Sequence, residues 1–158
     1  MSVATCDTAV YWRHLNGNLT SSVGGDMDSF EISAIFSTMP ARLYAAWTDP
    51  ELHAEFTGGQ ATGVAEVGAE FTAWDGYISG RYVNLIENQR IEQSWRTADF
   101  VPEQQNSVLV IEFAAVPAGC EVKIRHSQIP VGQGSRYQQG WVDFYFDPLS
   151  QWLAGQAT

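Results

Sequence analysis

The sequence predicts an α+β domain: a curved antiparallel sheet closed over a long C-terminal helix, with two short helices after the first strand. Three observations lead there. The segment SFEISAIF at 29–36 alternates apolar and polar residues with period two. From about residue 64 to Pro130, short apolar runs alternate with turn residues, a spacing that suits an antiparallel meander and not βαβ units. Residues 135–153 then place Trp141, Tyr145, Leu149, Trp152 and Leu153 on one helical stripe.

Taken in order, residues 1–27 show no sustained period and carry Asn16, Gly17, Asn18, Ser21, Ser22, Gly24 and Gly25, so they read as a flexible tail. Met27, just before the first clear strand, is an alternative start. In that strand Phe30, Ile32, Ala34 and Phe36 share one face. Thr38 is the expected N-cap of the first short helix, with Pro40 in its opening turn and Leu43, Ala46 and Trp47 at helical spacing. Asp49-Pro50 repeats the start signal; Leu52 and Phe56 at i, i+4 build a second helix closed by Gly58 and Gly59. Strands follow around Val64, over 70–74, 77–86 and 90–97, with turns at Asp75-Gly76 and near Asn88. After a loop at 98–106, SVLVIEFAAV is apolar on both faces, PAG turns the chain, and CEVKIRHSQI alternates up to Pro130. Ser135 is the expected cap of the last helix. Pro148 inside it removes one backbone hydrogen bond, so a kink or split is predicted there.

Composition narrows the rest. A chain of 158 residues with 45% hydrophobic and 13% aromatic content fits one domain, placed at 28–156. Its net charge of -10 repels a phosphate backbone, which argues against nucleic acid and anionic membranes as partners. Two cysteines, Cys6 and Cys120, make neither a disulfide framework nor a zinc site. No run reaches the ~20 apolar residues of a membrane span, and the N-terminus lacks a leader pattern, so a cytoplasmic protein is expected.

Three stretches, in this order and spacing, carry a family resemblance: AAWTDPELHAEFTGG at 45–59, FTAWDGYISGRYVNLIENQRIEQSWR at 71–96 and GWVDFYFDPLSQWL at 140–153. Over about residues 29–154 they resemble the activator of heat-shock protein 90 ATPase homologue family, in the START-like, helix-grip superfamily. The resemblance implies the fold just described, and a role without a catalytic triad, cofactor loop or metal site. It also implies a possible partner, a chaperone of the heat-shock protein 90 type. In two-domain eukaryotic members the matching module is the C-terminal one, assisting a larger N-terminal module; residues 1–27 are too short to be that module. Relatives commonly place a proline in the turn that here reads Glu87 to Arg90.

A sheet curled around a helix can leave an apolar cavity between the two, and rigid aromatic walls suit such a space. Its candidate walls are Phe36, Trp47, Phe56, Phe71, Trp74, Tyr82, Trp95, Phe113, Trp141 and Tyr145. Gln93, in phase with Ile91 and Trp95, and His126, in phase with Val122 and Ile124, point the same way. A buried polar group left unpaired costs about 1–3 kcal/mol, so each either meets a neighbour or orients a ligand. His14, His53 and His126 lack metal-ligand spacing. Glu66, Glu70 and Asp75 read as surface and turn carboxylates, Cys120 has no basic neighbour to activate it, and Ser127 lies on the opposite strand face from His126. The glycines of VGQGS at 131–135 precede a helix but lack the lysine of a phosphate loop.

These readings converge on a non-enzymatic binding domain that needs no cofactor and holds either a small apolar ligand in the cavity or a protein partner. Two alternatives stand beside it: an enzyme using His126 as acid or base in the same cavity, and a regulator of a chaperone ATPase. The oligomeric state is not legible.

Overall fold

The computed structural model describes residues 11–13, 20–21 and 27–156. Two short strands, β1 (Tyr11–Arg13) and β2 (Thr20–Ser21), both pair antiparallel with β3 (Met27–Phe36). Helices α1 (Pro40–Thr48) and α2 (Pro50–Thr57) follow, then β4 (Thr62–Gly63), β5 (Glu70–Ala73), β6 (Ile78–Ile86), β7 (Arg90–Thr97), β8 (Ser107–Val116) and β9 (Gly119–Pro130). The chain closes with α3 (Gly134–Trp141), a π-helical turn over Val142–Phe146 and α4 (Asp147–Gln156). The sheet order is β1-β3-β9-β8-β7-β6-β5-β4, with β2 also on β3. Strands β4 to β9 therefore form the expected meander. The first long strand joins its far end, the two short helices spanning the gap. Most of residues 1–27, expected as a tail, lies outside the described residues; the described parts of it, 11–13, 20–21 and Met27, all lie in strands.

One face of the sheet is apolar because side chains alternate along each strand. Ile32, Ala34 and Phe36 from β3, Ile91 and Trp95 from β7, Leu109, Ile111 and Phe113 from β8, and Val122 and Ile124 from β9 are all buried on it. The alternation in β9 slips after His126. Gln128 takes a positive φ of 56°, and this bulge returns Ile129 to the core face, where it is fully buried. The opposite face of the central strands carries ion pairs, among them Arg90 to Glu112 and Arg125 to Glu31 and Glu112. In β8 the second face is accordingly half-buried beside Glu112, not the second core surface that its apolar residues suggested.

The short helices start where their prolines allow. Pro40 opens α1, but the cap position belongs to Met39, without a side-chain hydrogen bond, and not to Thr38 as expected. Asp49 does cap α2, its carboxylate accepting from the Glu51 amide at 2.9 Å, and Gly58 ends the helix in the left-handed conformation, φ 87°. The expected strand at Val64 is a two-residue bridge ending one residue earlier, and Val64 itself is exposed.

Helix α3 begins one residue before Ser135, so Ser135 is not its cap; Gln133 occupies that position and offers no side-chain bond. The capping oxygen comes from another element. Asp28 Oδ2, on β3, accepts from the amides of Gly132 at 2.9 Å and Gly134 at 3.0 Å. Gly134 is a glycine by necessity, since a Cβ there would lie 2.7 Å from the Asp28 side chain. The anion-binding corner noted in VGQGS is thus filled by the protein's own carboxylate.

Pro148 has its predicted effect in an unpredicted form. In a regular α-helix its ring would meet the carbonyl of Phe144. The chain instead widens to π geometry immediately before it, with the Asp147 amide donating to the Val142 carbonyl. The helix is thereby divided without a break, and Tyr145, Phe146 and Leu149 stay buried on both sides of the junction.

Candidate functional site

The helical segment lies across the concave face and packs on it ring by ring. Trp141 stands over Trp95 with centroids 5.7 Å apart, Tyr145 stacks on Trp47 at 5.2 Å, and Phe146 meets Phe36 at 5.7 Å. Toward the β5–β6 turn this packing opens. A cleft of about 450 Å³ runs between Trp74, Tyr77 and Ile78 on that turn, Trp95 on β7, and Arg136, Tyr137, Gly140, Trp141, Phe144 and Tyr145 on the helix. That volume lies within the range of small-molecule sites, and its walls are predominantly aromatic.

The turn that forms one wall is strained. Trp74 and Asp75 both have positive φ, 54° and 59°, and an aromatic residue in that region costs about 1–3 kcal/mol. Two contacts hold it: the Asp75 amide donates to the Gln60 carbonyl at 3.0 Å, and Asp75 Oδ1 accepts from the Gln60 amide at 2.9 Å. The result aims Trp74 across the cleft, where it meets Phe144 edge-on at 5.7 Å.

The polar edge of the cleft is a three-residue cluster. Tyr77 donates its hydroxyl to Asp99 Oδ2 at 2.5 Å, and the Arg136 guanidinium reaches the same carboxylate at 3.3 Å. Burial and the Asp99 contact push the Tyr77 hydroxyl up to about 12, so it stays a donor at neutral pH. Deeper in, Tyr137 donates to Gln133 Oε1 at 2.6 Å and its oxygen accepts from the Thr97 hydroxyl at 2.7 Å.

Of the candidates read from sequence, Trp74, Trp95, Trp141 and Tyr145 line the open cleft. Trp47, Phe71, Tyr82 and Gln93 surround, with some of these, a separate void of about 20 Å³. That is room for about one water molecule and no ligand. Phe56 packs on Trp47, Tyr145 and Trp152, and Phe113 on Tyr44 and Trp47; both belong to the core. Gln93 is buried near the Tyr82 hydroxyl, which burial pushes up to about 12.

His126 is fully buried and both its ring nitrogens are engaged. Trp141 donates its indole N–H to Nδ1 at 3.2 Å. That bond fixes the proton on Nε2, which donates to Ser107 Oγ at 2.8 Å, and Ser107 in turn donates to the Trp95 carbonyl at 2.8 Å. The chain of bonds has room only for a neutral imidazole, and burial lowers its pKa to about 3. His126 is therefore a neighbour-satisfied core group, and it is not among the residues that line the open cleft.

Sequence reading missed the second such histidine. His53, on α2, donates from Nδ1 to the Trp47 carbonyl at 3.0 Å and accepts the Tyr145 hydroxyl at Nε2, 2.9 Å away. Its pKa falls to about 4, burial outweighing the backbone bond. The available signal was its i, i+3 spacing to Phe56 on the helix face turned inward. Tyr137 was missed too, although it stands four residues before Trp141 and extends the same stripe. Cys120 is buried and its thiol is pushed up to about 11, which removes it as a nucleophile. Among the described residues no group of His, Cys, Asp and Glu is arranged to hold a metal ion, and no helix is long and apolar enough to cross a membrane.

The family described as "Activator of Hsp90 ATPase homolog 1-like protein" matches residues 37–154. The chain is 31% identical over 116 residues to human "Activator of 90 kDa heat shock protein ATPase homolog 1", covering 73% of this chain and 34% of that protein. It is 28% identical over 121 residues to mouse homolog 2, covering 77% and 36%. It thus spans about a third of the length of these curated relatives. Among solved structures it is similar to an HSP90 activator from Plasmodium falciparum, with TM-score 0.74, 24% identity, and 80% of this chain and 96% of that one covered. It is also similar to the Aha1 dimer from Colwellia psychrerythraea, with TM-score 0.65, 17% identity, and 77% and 92% covered. These likenesses establish the helix-grip fold, and with the family match they place the chain: it belongs to the activator of Hsp90 ATPase homolog 1-like family.

Proposed function

We propose that this chain is a non-catalytic binding domain of the chaperone-activator kind, whose partner is a chaperone of the Hsp90 class. The match of its helix-grip domain to relatives named as activators of that chaperone's ATPase carries the reading. The chemistry of the interior supports it. His53 and His126 have every ring nitrogen committed to hydrogen bonds within the core, and the Cys120 thiol is buried and protonated. A domain built this way acts by surface and cleft, in the cytoplasm beside its chaperone.

Mixing the purified chain with the Hsp90-class chaperone of the same organism tests this. Saturable association, with a change in the rate of ATP hydrolysis, is the expected result. No association and an unchanged rate would remove the chaperone from the account.

A second reading is favoured by one observation, the open aromatic cleft of about 450 Å³. It makes the cleft a site for a small apolar ligand. Native mass spectrometry of freshly purified protein checks it: a co-purifying small molecule supports the reading, and a bare mass after incubation with apolar compounds counts against it.

A further inference from the structure

Resting on the first of these readings, that of a chaperone partner, we infer which face of the chain meets it: the outer surface formed by Phe144 and the strained turn from Trp74 to Tyr77, which fits a basic segment of the partner carrying one apolar anchor side chain. Three aromatic residues in succession, Phe144, Tyr145 and Phe146, cannot all face the sheet. The π turn carries Tyr145 and Phe146 into the core and leaves Phe144 55% exposed. Trp74, which meets Phe144 edge-on at 5.7 Å, is held at positive φ, and Tyr77 at the other end of its turn is 39% exposed. A lone exposed ring is ordinary. Three rings grouped at one place, one of them kept there by a strained backbone, mark a recognition surface. Large, rigid side chains of this kind make contact at little cost in rotamer freedom, which is why they anchor protein interfaces.

Charge selects the occupant. Asp143 and Asp147, one turn apart, bracket Phe144 along the helix, and Asp75 follows Trp74 on the turn. Asp143 accepts from the neutral Gln139 amide at 3.0 Å, and the Asp147 carboxyl is raised by burial and by Asp143. Among the described residues neither Asp143 nor Asp147 is in an ion pair, and Arg136, the cation at the cleft rim, is engaged by Asp99 at 3.3 Å. Like charges at this helical spacing repel, and a partner's cation set between them relieves the repulsion. Aromatic faces attract the same cations. A basic segment with one aliphatic or aromatic residue laid against Phe144 and Trp74 answers both features, whereas an acidic segment is repelled.

Isothermal titration calorimetry of the full chain against the Hsp90-class chaperone of the same organism tests the inference, with variants at exposed positions that leave the core untouched. Phe144→Ser should weaken association by about tenfold or more, the loss of one anchor. Asp143→Asn and Asp147→Asn combined, which keep the shape of both side chains, should weaken it by roughly three- to tenfold at low salt and flatten its dependence on ionic strength. Val83→Ser, at an exposed apolar residue on β6, should leave it unchanged. That pattern supports the inference. Wild-type affinity in Phe144→Ser, or an equal loss in Val83→Ser, would overturn the assigned face while leaving the chaperone as partner. Unaltered affinity and salt dependence in the double asparagine variant would overturn the basic segment as occupant, and the inference with it. No association of the wild-type chain would overturn both the inference and the reading beneath it.

Discussion

A histidine at the centre of a sheet is tolerable only when both ring nitrogens find partners, and His126 shows how narrowly that condition is met. Its tautomer is dictated by the Trp141 indole on one side and by Ser107 on the other. His126→Ala removes both bonds and leaves a cavity, so we expect a loss of about 2–4 kcal/mol, read as a lower denaturation midpoint. Retention of wild-type stability would contradict the packing role. A pH dependence follows with a definite sign. In the unfolded chain each histidine titrates near the ordinary 6.5; in the folded chain His53 falls to about 4 and His126 to about 3. Above pH 6.5 both states are neutral and these residues add no pH dependence. Below it the unfolded chain takes up protons that the folded chain refuses, so stability declines by up to about 1.4 kcal/mol per pH unit for each histidine. The decline ends near pH 4 for His53 and pH 3 for His126. Denaturant melts between pH 6.5 and 5 should show it, and His126→Gln should reduce the slope by removing one of the two titrations.

At the scale of elements, the cap of α3 is the clearest long-range dependence. One carboxylate oxygen on β3 satisfies two amides over a hundred residues away, tying the start of the gripping helix to the sheet. Asp28→Ala should cost about 1–2 kcal/mol, the usual worth of a lost cap, whereas Asp28→Asn should retain most of it. Urea melts followed by helical circular dichroism separate the two. This tie also marks a boundary of what sequence shows. The strands were legible because period two survives in β3, in β7 and in β9 as far as His126, and α2 was legible because Asp49 caps it locally. The cap of α3 was not, because its donor and acceptor are distant in the chain; Ser135 was the nearest plausible residue and therefore the wrong one. The junction at Pro148 was legible in position but not in form, since a proline specifies a broken hydrogen bond without saying whether the helix kinks or widens. Four wall residues of the cleft were legible as an aromatic stripe. Its rim was not, because Tyr77, Asp99 and Arg136 come from three separate segments, and the opening depends on Trp74 holding a positive φ that no pattern announces.

For the whole molecule, the decisive feature is that the grip is incomplete. Where α1, α2 and the π turn meet the sheet, rings interlock and leave a void of only about 20 Å³; beside α3 the same interface opens to about 450 Å³. A fully packed interior would leave only the outer surface for recognition, whereas this one offers a rigid aromatic cleft beside exposed Phe144 and Tyr77. The acidic balance, 18 acidic against 8 basic residues, makes basic protein surfaces the favourable electrostatic partners and speeds encounter with them at low salt. Association with a chaperone should accordingly weaken as ionic strength rises, which binding measured at two salt concentrations checks. The most direct test of the whole account is that binding itself. Titrating the chain into the Hsp90-class chaperone of the same organism, while following ATP hydrolysis, should give saturable association and an altered rate. A chaperone that neither binds the chain nor changes its turnover would contradict the central claim.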